Sequence, residues 1–125
     1  MRTYPGAGFE GSGAVMRDDK ERLLDILEAI EKIEPYAARG REAFEKEELI
    51  QVWIVHYLQI LGEAANKLSQ QLRTRYPEVP WGKIIGMRHI LVHSYFEIDL
   101  EIVWSALEND LKPLQSQIKY LLEDL

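Results

Sequence analysis

Apolar side chains recur at helical spacing along most of the chain, and the breaks in the pattern fall at Pro, Gly and Asp. Leu23, Leu24, Leu27, Ile30 and Ile33 form one stripe, which predicts a first helix from about Arg17 to Ala38. Asp18 and Asp19 fall in or before its first turn, where the helix dipole favours negative charge. Pro35 is expected to end or kink this helix, and Gly40 to stop it. A short turn is expected at Arg41–Lys46, then a long helix from about Glu48 to Ser69. Its apolar set is Leu49, Val52, Trp53, Val55, Leu58, Ile60, Leu61, Ala64, Ala65 and Leu68. Between Val52 and Leu61 that helix is apolar nearly all round, the pattern of a central bundle helix or of one with a second face buried in an oligomer.

Residues 70–80 read as a connection, because Pro77 and Pro80 interrupt any continuous helix. Pro80 suits the first turn of the next helix, expected over Trp81–His93. Ser94–Ile98 is a break, and Asp99 is a candidate N-cap for a last helix running from Leu100 towards Leu125. Pro113 should kink or split that helix near Asn109–Lys112. Strand signals are weak. The fold class is therefore all-α, an up-and-down bundle of four to five helices.

Residues 1–15 lack periodicity and hold four Gly, which predicts a flexible N-terminal extension, derived from an expression sequence or a mis-assigned start. The helical domain then covers residues 16–125. With no cysteine, a disulfide scaffold, a cysteine nucleophile and a thiolate metal site are excluded. No apolar run approaches the roughly 20 residues that span a bilayer, and no signal peptide is recognisable. A cytoplasmic protein without membrane contact is expected.

The net charge of −6 argues against a protein that coats nucleic acid non-specifically. Its distribution is uneven. Residues 17–50 carry 7 basic and 11 acidic side chains, and residues 96–125 carry 2 and 7. Residues 70–95 hold Arg73, Arg75, Lys83 and Arg88 against Glu78 alone. One basic segment inside an acidic chain fits a restricted anion site and not a broad basic surface.

That segment gathers Arg88, His89, His93 and Tyr95 within eight residues. Cleaving RNA without a metal requires a base for the 2′-hydroxyl proton, an acid for the leaving 5′-oxygen and a cation for the charge on phosphorus. Histidine titrates in the range for the first two roles, and the arginine fork suits phosphate oxygens. Arg88 and His93 stand about 140° apart around an ideal helix and do not share a face there, but Arg88 is long and His93 lies near the expected helix end, so the two could still converge within one chain. A two-fold dimer could complete the site, or His89 could assist. A structural role for Arg88, paired with a carboxylate such as Glu63, stands beside this reading. His89 and His93 are also spaced i, i+4 like a metal-binding pair, but no Glu lies between them in the His-Glu-x-x-His sense and no third ligand is evident. No metal and no cofactor are expected. Tyr95 has an equally simple reading as a core or interface aromatic.

The run Ile84-Ile-Gly-Met-Arg-His-Ile-Leu-Val-His-Ser-Tyr-Phe-Glu-Ile-Asp99 closely resembles the signature of the HepT-like branch of HEPN proteins: Arg, four residues, His, any residue, Tyr. Met16-Arg-Asp-Asp, Asp25-Ile-Leu-Glu-Ala-Ile-Glu-Lys-Ile, Ile60-Leu-Gly-Glu-Ala-Ala-Asn-Lys-Leu, Pro80-Trp and Asp99-Leu-Glu-Ile-Val-Trp are similar to other passages of that branch, so the resemblance covers about residues 16–122. It implies a helical bundle that forms homodimers through the motif-bearing helices, and a toxin of a prokaryotic HepT/MntA toxin–antitoxin pair. It implies ribonuclease roles for Arg88 and His93, with an RNA substrate of the tRNA or mRNA class. His89 stands where Asn is usual. The implied antitoxin partner is an MntA-like minimal nucleotidyltransferase that attaches AMP to the motif tyrosine, Tyr95 here. Two other readings remain open: a non-catalytic helical partner or substrate of a nucleotidyltransferase, and a bundle that binds a small nucleotide.

Overall fold

The computed structural model describes the backbone of residues 7–93 and 99–125, and the side chains of residues 18–89 and 99–125. Among the described residues all regular structure is helical, in seven segments. They are α1 (Ala7–Ala37), α2 (Arg41–Lys46), α3 (Glu48–Asn66), α4 (Gln70–Arg75), α5 (Trp81–His93), α6 (Leu100–Asn109) and α7 (Leu111–Asp124). The long helix α3 is central: it packs most extensively on α1 and on α5, while α7 lies against α1 and α6 against α7.

The core follows from the spacing of the apolar residues. On α1, Leu23, Ile26, Ile30 and Ile33 are fully buried at intervals of three and four residues. On α3 the buried row is Ile50, Ile54, Leu58, Leu61 and Ala65, and Leu68, just past its C-cap, continues it. Ile118 and Leu121 of α7 close the other side. Each fully buried Leu or Ile contributes about 1.5–3 kcal/mol relative to exposure. Phe44 of α2 is completely buried, with its ring 5.6 Å from that of Trp104 on α6.

The helix α1 begins at Ala7 and not near Arg17. Extending a formed helix avoids the cost of nucleation, so a helix can run on past its apolar stripe. Asp18 and Asp19 therefore lie within α1 and not in its first turn, and Asp19 has another task. It is buried, and its carboxylate accepts from the Ser69 backbone N–H at 2.8 Å and from the Ser69 hydroxyl at 2.6 Å. Ser69 in turn is the N-cap of α4, its Oγ accepting from the Leu72 N–H at 3.1 Å. This cap explains the short helix α4 inside the connection expected over residues 70–80. Pro35 is tolerated two residues before the end of α1, and Gly40, at φ 98°, supplies the left-handed turn into α2.

Asp99 caps α6 as its position suggested, accepting from the N–H groups of Glu101 and Ile102. The break before Pro113 divides α6 from α7 at Asp110. Tyr76 ties the segment before α5 to the end of the chain. Its hydroxyl donates to Asp124, and its carbonyl accepts from the Trp81 indole at 2.9 Å. No described helix is long and apolar enough to cross a membrane.

Candidate active site

The helix α5 is held against α3 at a glycine. A Cβ at Gly62 would stand 3.1 Å from the Arg88 Cβ, 3.3 Å from the Ile84 carbonyl oxygen and 3.4 Å from the Arg88 nitrogen. The absence of a side chain at Gly62 lets the Arg88 backbone reach the surface of α3. From there Arg88 Nη1 donates to Glu63 Oε2 at 3.1 Å. The Arg88 side chain is 24% exposed and that of Glu63 50%. Such a partly hydrated pair is worth about 0–1 kcal/mol, so its main effect is on where the guanidinium points. Among the described residues one donor is engaged, in this bond; the fork carries others that suit an anion.

Arg88 forms one wall of an open cleft of about 380 Å³ between α1, α3 and α5. Arg22 and Asp25 line it from α1, and His56, Glu63 and Lys67 from the α3 side. Arg22 and Asp25 lie 3.5 Å apart. Lys67 has no carboxylate partner among the described residues. A second cleft, of about 450 Å³, is lined by Trp104, Leu107 and Leu111 together with Glu34, Glu108 and Lys112 and shares no lining residue with the first.

The fold changes the meaning of the basic segment. Arg75 faces Asp124 at 3.6 Å, Lys83 meets Asp110 at 3.1 Å, and Arg88 meets Glu63. The excess positive charge of residues 70–95 is thus largely matched by acids from α3 and from the C-terminal third. The cations around Arg88 come instead from α1 and α3, as Arg22 and Lys67. No local motif marks those two residues; only the packing of three helices brings them together.

The other sequence-predicted residues divide as follows. His89 is exposed on α5. His93 is the last residue of α5, in the same helix as Arg88, so the backbone positions of the two differ by about 140° around its axis. The His93 side chain, Tyr95 and the 94–98 break lie outside the described residues. Among the described residues no group of three His, Cys, Asp or Glu is placed to hold a metal ion.

Comparison with known proteins gives a consistent result. The family model described as "Ribonuclease HepT-like" matches residues 26–121. A "Probable ribonuclease HepT" of Thermococcus cleftensis is 32% identical over 106 residues, which cover 84% of this chain and 96% of that protein. A "Putative RNase" of Caldanaerobacter subterraneus subsp. tengcongensis is 32% identical, over 86% of this chain and 97% of its own length. A "Gamma-glutamylcyclotransferase and putative RNase" of Methanocaldococcus jannaschii is 33% identical over 87% of this chain, which spans only 50% of that longer protein. No solved structure matches.

Proposed function

This chain belongs to the ribonuclease HepT-like family, and from that premise we propose that it is a metal-independent endoribonuclease, the toxin of a toxin–antitoxin pair, with Arg88 and His93 as its catalytic residues. The observation that carries this reading is Arg88 itself: an arginine of the family signature, placed by Gly62 on the wall of an open cleft with donors to spare.

In this mechanism His93 takes the proton of a ribose 2′-hydroxyl, and the resulting oxygen attacks the adjacent phosphorus. The bond from phosphorus to the 5′-oxygen breaks, and that oxygen receives a proton from an acid. Arg88 donates to the phosphoryl oxygens as charge builds on them. One imidazole does not serve as base and acid in the same instant. A homodimer in which the motif helices meet would supply a second His93, and the separation of Arg88 and His93 around α5 favours such shared sites. His89 is an auxiliary candidate.

Tyr95 is the proposed point of control. AMP attached to its hydroxyl by an MntA-like nucleotidyltransferase would set a phosphate close in sequence to Arg88 and His93. The added charge would compete for Arg88 and repel RNA. The reading places the protein in the cytoplasm, with RNA as substrate. His93→Ala should lower RNA cleavage by about 10²–10⁴-fold with the fold intact. Undiminished cleavage by that purified variant would sink the catalytic assignment.

The Arg88–Glu63 pair favours a second reading, in which Arg88 is structural and the protein is a non-catalytic substrate of the transferase. Intact-mass measurement after co-expression with the neighbouring gene separates the two. Modification that depends on Tyr95, in a protein that cleaves no RNA in its unmodified form, would favour the second.

A further inference from the structure

The cleft beside Arg88 is built along one stripe of α3 and its C-cap. His56, Gln59, Ile60, Glu63, Ala64 and Lys67 recur at intervals of three and four residues and all line it. From His56 to Lys67 the stripe is about 16 Å long. Apart from Ala64, which is buried where the stripe borders the core, it lies on a different side of α3 from the core row that ends at Ala65. Arg88 opens on this stripe through its bond to Glu63, and Arg22 faces the stripe from α1.

The charges in the cleft are unequally engaged. Arg88 is held by Glu63, and Arg22 lies near Asp25. Lys67 is exposed, lines the same cleft, and is four residues from Glu63 without an ion-pair partner among the described residues. In a chain of net charge −6, an unneutralised cation in the cleft that holds Arg88 is a specific attraction and not part of a general basic coat.

We infer that this cleft is a subsite for the backbone of single-stranded RNA, in which Lys67, with Arg22 behind it, binds a phosphate next to the one Arg88 engages. The inference rests on the ribonuclease reading above and adds to it the path of the strand. A cleft of about 380 Å³ takes a short piece of one strand and is too small for a duplex. Its few cations suit a local phosphate contact, and the exposed His56 ring at the far end of the stripe offers a face for a base. Lys67 also has a structural use, because it is the C-cap of α3, where a cation interacts favourably with the helix dipole. The test therefore has to separate RNA binding from stability.

The probe is a short, fluorescently labelled single-stranded oligoribonucleotide, 2′-O-methylated so that it cannot be cleaved, with binding followed by anisotropy over a series of salt concentrations. Lys67→Ala should weaken binding several-fold and reduce the salt slope by about 0.7, the value for one phosphate contact on a single strand. Lys67→Arg should restore both, and the duplex form of the probe should bind more weakly than the single strand. On cleavable RNA the loss in Lys67→Ala should fall on KM more than on kcat. The inference is overturned if Lys67→Ala lowers only the melting temperature and binds the probe like the wild type, or if duplex and single strand bind equally. Wild-type protein that binds the probe through Lys67 but cleaves no RNA would sink the nuclease reading and leave the subsite standing. Wild-type cleavage with no effect at Lys67 would do the reverse, and no binding of the probe by the wild type would overturn the subsite, the nuclease reading being judged by cleavage alone.

Discussion

Gly62 of α3 faces the Cβ of Arg88 on α5 so closely that an added methyl would lie 3.1 Å from it. The other near atoms are backbone, in the middle of α5, and cannot swing aside as a side-chain tip would. Gly62→Ala should therefore push α5 away from α3 by a few tenths of an ångström. Overpacking costs about 1–3 kcal/mol, offset by about 1 kcal/mol from the better helix former. A net loss of about 1 kcal/mol would lower the melting temperature by several degrees. Gly82 and Gly86 are the controls: both lie in α5, and a Cβ at either meets nothing within 4 Å. Alanine at those positions should raise the melting temperature. Calorimetry on the three variants checks the contrast, and equal stabilisation in all three would show that the close approach does not constrain the helices.

Glu63 has opposed effects on the site, and Glu63→Gln should separate them. The carboxylate orients Arg88, but it also places a negative charge in a cleft proposed to take phosphate. The amide removes that charge and weakens the hold on the guanidinium. RNA binding should tighten while kcat falls, with little change in stability because the pair is partly exposed. A rise in both binding and kcat would mean that Glu63 only masks Arg88.

The sequence was most informative where a single residue decides a boundary. Pro80 precedes α5, Asp99 caps α6, and the break before Pro113 falls at Asp110. It was least informative on α3. Leu49 and Val52 stand in the expected apolar set but are 84% and 55% exposed, whereas Ile50 and Ile54 fill the core. A helix that is apolar nearly all round offers no contrast from which to read its phase. Leu24 on α1 also stands in the expected stripe but is half exposed, at the edge of the buried row Leu23, Ile26, Ile30 and Ile33. At the site, the pairing of Arg88 with Glu63 was one of the alternatives the sequence offered, and the structure contains it. Arg22, His56 and Lys67 carry no sequence signal, because they belong to the cleft only through the packing of α1 and α3 beside α5.

Asp19 and Ser69 form a buried relay that joins the middle of α1 to the start of α4. Asp19→Ala would leave the Ser69 N–H and hydroxyl without their acceptor in a part-buried site, at a cost of about 1–3 kcal/mol. Ser69→Ala removes the cap of α4 as well, for about 1 kcal/mol. Because the two share their bonds, the double variant should lose less than the sum of the singles. Urea unfolding of all four proteins measures the coupling. Strict additivity would mean that the two residues stabilise the fold independently.

Tyr76 gives the fold an alkaline limit. The hydrogen bond from its hydroxyl to Asp124 raises its pKa above the usual tyrosine value, and burial raises it further. The folded protein therefore holds this proton more tightly than the unfolded chain does. The stabilisation is fully present below the unfolded tyrosine pKa of about 10 and is lost as pH rises through the higher folded value. Tyr76→Phe removes the titrating group together with the hydrogen bond. At neutral pH the variant should be less stable by about 1 kcal/mol. Above about pH 10 its stability should fall less steeply with pH than that of the wild type. Denaturant unfolding at a series of alkaline pH values gives both slopes. Parallel slopes would mean that Tyr76 keeps an ordinary pKa and that its contact with Asp124 does not bind the proton.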